Sequence, residues 1–411
     1  MTAPSHPGRH LLAAALLTGA LAPAAALAEE AVQISPSRKG NCENPLWSRD
    51  GKGLAYERVF YEERRIELNL VRDVHATKVK EERVKPVLES RDESAATLEA
   101  FQSGAKKKVA PGEVCREFAW GPKDSPNTFV YSCNVEGSSY QLFMTEGEQL
   151  TRGDGAAGQP NMTVDGWGLV YVSSNQEREG LFVIHDLIDE IRPLRLLPPG
   201  TRVDRMPVWS PSGKKIAFVG HDKDSADIYV IENVRNSEES MVRLTKWSSE
   251  ESNPSWSPDG TKIAFFSDHD GPKKKAKPAK KGRGSAGQAL YVVDLAKGGE
   301  PFLVARDVVP SEQHGPAWTP DSQWLVYAKD YQKGQVIDPI RAVRAEPDAK
   351  EMMLKTGTVS NKDPQVVERE GRWWMAFSAL GRYKGKERTW RKVYVMPIEK
   401  VLTNKEKPEE E

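Results

Sequence analysis

Histidine is the first residue type in this chain that could carry chemistry. Beyond residue 28 there are five: His75, His185, His221, His269 and His314. His221 and His269 stand fourteen and fifteen residues after a recurring proline, at Pro207 and Pro254, so they occupy matching loops of neighbouring units. His314 lies just before another such proline, Pro316. Three imidazoles converging on one point would make a transition-metal site. As isolated turn residues they need no ligand. The acidic loops Asp222-Lys223-Asp224 and Asp268-His269-Asp270-Gly271 offer oxygen ligands of the kind calcium takes. Two carboxylates each are too few alone, and Asp-Gly turn chemistry explains them without an ion. The sequence holds no Gly-x-Ser-x-Gly elbow, no His-Glu-x-x-His and no Cys-x-x-Cys. The familiar serine hydrolase, zinc protease and dithiol chemistries are therefore not expected.

Two further groups could act without catalysis. Cys115 and Cys133 flank a hairpin whose turn centres on Asp124, which places them opposite each other for a cross-strand disulfide. The alternatives are two buried thiols, or a bridge from Cys42 to Cys115. Lys273, Lys274, Lys275, Lys277, Lys280, Lys281 and Arg283 form a run with no acidic residue among them. That run is either a solvated loop or an arm for an anionic partner, sensitive to salt.

The elements that position these residues come from a repeat. Its clearest copy is Asn253-Pro254-Ser255-Trp256-Ser257-Pro258-Asp259-Gly260-Thr261-Lys262-Ile263-Ala264-Phe265, with a near-twin from Met206 to Phe218. Other copies begin at Pro45, Pro160, Pro316 and Pro364, and a divergent one has Phe118 in place of the proline. Ser-Pro-Asp-Gly is a type I turn, with Pro presetting φ at its second position. It joins a strand carrying Trp to a strand ending in a large, small, aromatic triplet. The first and third triplet residues share one sheet face and the small one takes the other. The aromatic ends fall at 56, 131, 171, 218, 265, 327 and 377. Apolar third and fourth stretches follow, such as Asp227-Ile228-Tyr229-Val230-Ile231 and Arg243-Leu244-Thr245.

Four strands at a spacing of roughly 40–50 residues predict an all-β, seven-bladed propeller, rather than one of six or eight blades. The low hydrophobic content of 38%, with 32 Gly and 28 Pro, suits many thin layers. Trp47, Trp120, Trp209, Trp256 and Trp318 then fall at equivalent inner-strand places and read as packing between blades.

The Pro-x-Trp-Ser-Pro-Asp-Gly-x-x-Ile-Ala-Phe unit, followed by Ser267-Asp268-His269-Asp270-Gly271, resembles the TolB-type propeller repeat. Similar units occur in propellers of prolyl oligopeptidase relatives and tricorn-like proteases. The resemblance covers about 45–400. It departs from TolB in lacking room for a domain before Pro45 and in counting seven blades. It implies a non-catalytic scaffold that binds a protein or peptide at the propeller mouth, with an envelope lipoprotein as one partner. The similar propellers of oligogalacturonate lyases imply the alternative, a metal-dependent polysaccharide lyase with an axial His cluster built from His221, His269 and His314.

Residues 1–28 read as a cleaved export signal: Arg9, the apolar run Leu11 to Leu21, and Ala26-Leu27-Ala28 before Glu29. No later segment is apolar enough to span a bilayer. The expected product is periplasmic, or extracellular, and monomeric. The formal net charge of zero gives no bulk attraction to nucleic acid. Beyond the signal, 29–44 is expected to supply a closing strand through Ala31-Val32-Gln33-Ile34, with Lys400-Val401-Leu402-Thr403 as the rival. The propeller is expected over 45–403, with insertions at 75–112 and 271–288, and 404–411 as a charged tail.

Overall fold

The computed structural model describes residues 31–403 apart from 37–38, 64, 76–79, 84–113, 122–127, 135–138, 145–147, 154, 165–167, 176–177, 188–190, 199–202, 223–224, 270–287, 334–335, 384–385 and 388–389. The export signal at 1–28, the basic run from Lys273 to Arg283 and the tail at 404–411 lie outside the described residues, as does most of 75–112.

Each unit is organised by its turn. In Ser257-Pro258-Asp259-Gly260 the Gly260 amide donates to the Ser257 carbonyl at 2.8 Å. The Ser257 hydroxyl donates to Asp259 Oδ1 at 2.6 Å. Gly260 takes φ +71°, which costs glycine no Cβ clash. The turns closing on Gly51 and Gly213 repeat the amide bond at 2.9 Å. This type I geometry sets Trp256 opposite Ile263, and Trp47 opposite Leu54.

Seven such units form four-stranded antiparallel blades around an axis. Blade 1 contains Asn41–Trp47, Leu54–Phe60, Arg65–Val71 and Glu81–Arg83. Its last strand falls inside the stretch read from sequence as an insertion. Blade 2 contains Val114–Trp120, Phe129–Asn134 and Gln141–Met144, and its fourth strand shrinks to one bridge between Phe143 and Gln149. Blade 3 runs from Ala157–Met162 through Leu169–Asn175 and Arg178–Ile184 to Leu194–Arg195. Blade 4 runs from Val203–Trp209 to Met241–Arg243, and blade 5 from Glu251–Trp256 to Pro301–Arg306. Blade 6 has a split inner strand, Val308–Val309 and Ala317–Trp318, followed by Trp324–Lys329, Ile340–Arg344 and Met352–Met353. Blade 7 contains Val359–Arg369, Arg372–Leu380 and Lys392–Pro397.

The ring is closed by the N-terminal strand Val32–Gln33, which pairs antiparallel with Lys392–Pro397 and sets Val32 opposite Val395. The Ile34 amide donates to the Val393 carbonyl, and the Val393 amide donates to Ser35 Oγ, both at 2.9 Å. The rival segment is a short helix, Glu399–Thr403. Ile398 and Leu402, four residues apart, both bury their side chains, a helical spacing rather than a strand one.

Packing between blades follows the triplet. Ala376 of blade 7 packs in one cluster with Leu54 and Tyr56 of blade 1. Ala55 of blade 1 packs with Phe129 and Tyr131 of blade 2, and Val130 of blade 2 with Leu169 and Tyr171 of blade 3. Val170 meets Ile216 and Phe218, Ala264 meets Leu325 and Tyr327, and Val326 meets Met375 and Phe377.

Ile34 is 7% exposed at the closing seam, in the cluster that joins blade 7 to blade 1. Ile34→Ala is expected to lower unfolding stability by about 2–4 kcal/mol, read as a shift of the urea midpoint. The exposed Ile191→Ala should move it by less than about 0.5 kcal/mol.

Candidate functional site: the axial cavity

Every inner strand except that of blade 6 carries the same irregularity. The residue before the recurring proline, or before Phe118, takes a left-handed backbone: Asn44 (φ 51°), Glu117 (51°), Gln159 (54°), Met206 (58°), Asn253 (52°) and Asp363 (52°). The strand register slips at each of these places. A residue preceding proline is already restricted towards extended backbone, so a positive φ there is costly, at about 1–3 kcal/mol each. The recurrence marks a built bulge.

Hydrogen bonds between blades hold these bulges. The Asn44 amide donates to Asp363 Oδ2 (3.4 Å), and the Glu117 amide donates to Glu57 Oε1 (3.3 Å). The Gln159 amide donates to Glu117 Oε2 (2.9 Å), and the Met206 amide to Gln159 Oε1 (2.6 Å). A side-chain oxygen of one blade thus receives the bulge amide of the next, from blade 7 round to blade 4. Met206, a thioether, offers no such oxygen to blade 5.

Lower on the inner strands the tryptophans make a second set of bonds. Trp120 Nε1 donates to the Leu46 carbonyl at 3.0 Å, Trp256 to Val208 and Trp318 to Ser255 at 3.2 Å, and Trp47 to Gln365 at 3.3 Å. Each acceptor sits one residue after the recurring proline of the preceding blade. The rings are therefore interblade packing with a polar tie.

These strands line an axial cavity of about 350 Å³. Blade 6 departs from the pattern: its inner strand opens into a loop, and Glu312, Gln313 and His314 line the cavity. Asn253 Nδ2 fixes this loop by donating to the carbonyls of Ser311 (2.9 Å) and His314 (3.1 Å). From there Gln313 Nε2 donates to Glu57 Oε1 of blade 1 at 2.6 Å, a bond that reaches past blade 7. His314 meets Phe118 of blade 2 edge-on at 6.2 Å. Glu57 also accepts from Asn44 Nδ2 at 3.0 Å.

Glu57 is 2% exposed. Burial pushes its carboxyl up to about 7, against the opposing pull of the hydrogen bonds from Gln313 and Asn44. Burial pushes the His314 imidazole down. Glu251, buried between blades 4 and 5, accepts from the hydroxyls of Ser249 and Ser267, both at 2.7 Å, and burial lifts it to about 7.

The structure separates the three histidines singled out from sequence. His314 is axial. His221 lies at the end of Ile216–Asp222 in blade 4, and His269 stacks on Trp247 in blade 5 with centroids 3.9 Å apart. Among the described residues no group of three or more His, Cys, Asp or Glu side chains is arranged to hold a metal. Cys115 and Cys133 face each other in the register of blade 2 and are joined as a disulfide, and Cys42 is a buried free thiol. Sequence reasoning began its two clearest copies at Asn253 and Met206, the residues in front of the proline, but gave those residues no role. Asn, Gln and Asp before four of those prolines were the available signal.

Residues 129–275 match the family PD40, the TolB beta propeller domain. Over this stretch the chain is similar to the TolB beta propeller domain. Among solved structures, the putative TolB of Agrobacterium tumefaciens is 19% identical, with a TM-score of 0.45, over 69% of this chain and 87% of that one. The hydrazine synthase of Kuenenia stuttgartiensis is 14% identical, with a TM-score of 0.51, over 88% of this chain and 98% of that one. A prolyl endopeptidase is 13% identical, with a TM-score of 0.45, over 86% of this chain and 50% of that one. At these identities the likeness is one of fold. No curated protein matches the sequence.

The ring of bulges and its buried acids can be tested by mutation and by pH. Gln159→Met gives blade 3 the side chain that blade 4 already has and removes the acceptor of the Met206 amide. It is expected to cost about 1–2 kcal/mol in denaturant unfolding. Glu57 and Glu251 have folded pKa values of about 7, above the ordinary 4.5. The folded state keeps protons that the unfolded chain has already released, so stability falls as pH rises from about 4.5 to about 7 and then levels. Glu251→Gln and Glu57→Gln should each flatten that slope, by a few kcal/mol at most. Urea midpoints measured from pH 4.5 to 8 check this, and a slope unchanged in both variants would refute it.

Proposed function

We propose that the chain is an exported, non-catalytic scaffold of the cell envelope that docks a protein or peptide at the mouth of its axial cavity. The observation that carries this reading is the axial site itself. Most of its polar groups hold blades and the blade 6 loop together, with Gln313 Nε2 bonded to Glu57 of blade 1 at 2.6 Å, while Gln313 Oε1 and His314 Nε2 are buried beside the cavity without a partner. What they present outward is a rim. Glu312 is exposed beside the cavity, and Tyr61, 63% exposed, donates to Glu43 Oε1 at 3.1 Å. A rigid ring with a polar, aromatic rim suits recognition of another chain. Export rests on the residues at 1–28, and an envelope setting agrees with the TolB-type repeat. No cofactor is part of this reading, and an envelope lipoprotein is the partner class it favours. The family resemblance raises that prior without naming the partner, because propellers host unrelated functions.

The test is photo-crosslinking in envelope fractions. p-Benzoylphenylalanine at Glu312 is expected to yield one discrete protein adduct, and the same residue at the exposed Glu300 of blade 5 none. Equal labelling from both positions, or none from either, would sink the docking site. Turnover of uronate oligosaccharides by metal-loaded protein would replace it with the lyase.

A further inference from the structure

The blade 6 loop leaves two buried atoms unmet beside the axial cavity. Gln313 Nε2 donates to Glu57 Oε1 at 2.6 Å. That oxygen also receives the Glu117 amide at 3.3 Å, so it acts as an acceptor and the Gln313 amide must turn its nitrogen towards it. The amide oxygen is what remains. Gln313 Oε1 is buried without a hydrogen-bond partner, and so is His314 Nε2. Burial pushes the imidazole pKa down, and a neutral ring offers one nitrogen as an acceptor. Both side chains line the cavity. A buried acceptor without a donor is a standing cost to the fold, which a ligand carrying donors would remove.

The charges around these atoms favour a cation. Glu117 and Glu312 line the cavity. Arg49 lines it too, but its guanidinium is committed: Nε donates to the Gly121 carbonyl at 2.9 Å and Nη2 to the Met162 carbonyl at 2.7 Å. Arg116 approaches Glu117 Oε1 only to 3.7 Å, longer than a hydrogen bond. Glu57 stands directly behind Gln313 and Glu117, bonded to both. Burial pushes its carboxyl up to about 7, and a cation seated nearby would restore its charge. The remaining walls include Phe118 and the prolines Pro160, Pro207, Pro254 and Pro316. They suit a hydrocarbon stem behind a charged head. At about 350 Å³ the cavity is at the small end of ligand pockets and takes one side chain rather than a folded segment.

We propose that the axial cavity receives a lysine side chain of the chain that docks at its mouth, with the ammonium donating to Gln313 Oε1 and held by the charges of Glu117 and Glu312. This seat rests on the docked chain inferred above and adds the group that chain must present. The acceptors come from blades 2 and 6, which are not neighbours. Three rotatable ammonium donors meet such a spread more readily than the planar fork of a guanidinium.

The probe is acetyl-Gly-Lys-Gly-amide, titrated calorimetrically into the full chain. It is expected to bind at least ~10-fold more tightly than the norleucine peptide acetyl-Gly-Nle-Gly-amide, which has the stem without the charge. Gln313→Lys keeps a donor for Glu57 but replaces the spare oxygen with a positive charge, and should abolish binding. Glu117→Gln combined with Glu312→Gln keeps an oxygen for the Gln159 amide and should weaken binding by at least ~10-fold. That pair keeps the test open if the first variant does not fold. Thermal melts establish that each variant is native. No binding up to about 10 mM, no preference over norleucine, or binding that survives these changes in folded protein would each overturn the lysine seat. Equal binding of acetyl-Gly-Arg-Gly-amide would overturn its assignment to an ammonium. Equal binding of Gly-Leu-Gly-amide, with its free amino terminus, would overturn its assignment to a side chain. The crosslink at Glu312 separates this seat from the docking itself. An adduct formed without any lysine preference refutes the seat alone, and a lysine preference without an adduct refutes the docked envelope partner alone.

Discussion

A large side chain must meet a small one at every blade interface, and the circle must close on itself. Leu54 and Tyr56 bury in one cluster with Ala376 of blade 7, and Phe129 and Tyr131 in one cluster with Ala55 of blade 1. A single blade has no way to cover both faces, so its burial is realised only in the ring. Fully burying each such side chain contributes about 1.5–3 kcal/mol. Much of that contribution comes from contacts with neighbouring blades, which makes the seam at Val32–Gln33 as important as any interface within the chain. The N-terminal strand converts an arc of units into a circle whose first and last members cover each other.

Close to the axis that packing rule gives way to another. Inner strands crowd together there, and each except that of blade 6 bends through one residue held at positive φ. The strain is local, but the hydrogen bonds that hold it are not: Asp363 to blade 1, Glu117 to blade 3, Gln159 to blade 4. The bulges therefore tie neighbouring blades at the point where side chains are too few to do so. Glu57 enters the ring from the second strand of blade 1 and takes the place that a bulge residue fills elsewhere. Its bond to Gln313 links the blade 1–2 interface to the loop of blade 6, past blade 7.

The fold was legible because its signals are local and repeated. Ser-Pro-Asp-Gly, the tryptophan before it and the triplet after it each have a physical role that a single copy reveals, and repetition multiplies the signal. The site was far less legible. The bulge depends on a φ value at a residue whose type varies among Asn, Glu, Gln, Met and Asp. The reach of Gln313 to Glu57 spans 256 positions and follows no period. His221 and His269 looked equivalent in sequence because they stand fourteen and fifteen residues after a recurring proline, and His314 was set just before another. The blade 6 loop put His314 on the axis, and the strand ends and rings of blades 4 and 5 kept His221 and His269 away from it.

Function in a repeat protein is best sought where one copy breaks the rule that the others keep. The common devices are mostly occupied. Four tryptophan nitrogens bond to the preceding blade, with Trp209 Nε1 left buried and unpartnered, the serines close their own turns, and the triplets fill the seams. The exceptions are few and each leaves something over. Blade 6 replaces a bulge with a loop and so builds the wall of the axial cavity. That loop leaves Gln313 Oε1 and His314 Nε2 buried without partners, where the regular bulges of the other blades have their amides bonded to a neighbouring blade. An unmet acceptor beside a cavity is costly to the fold alone, and it is where a second molecule has something to offer.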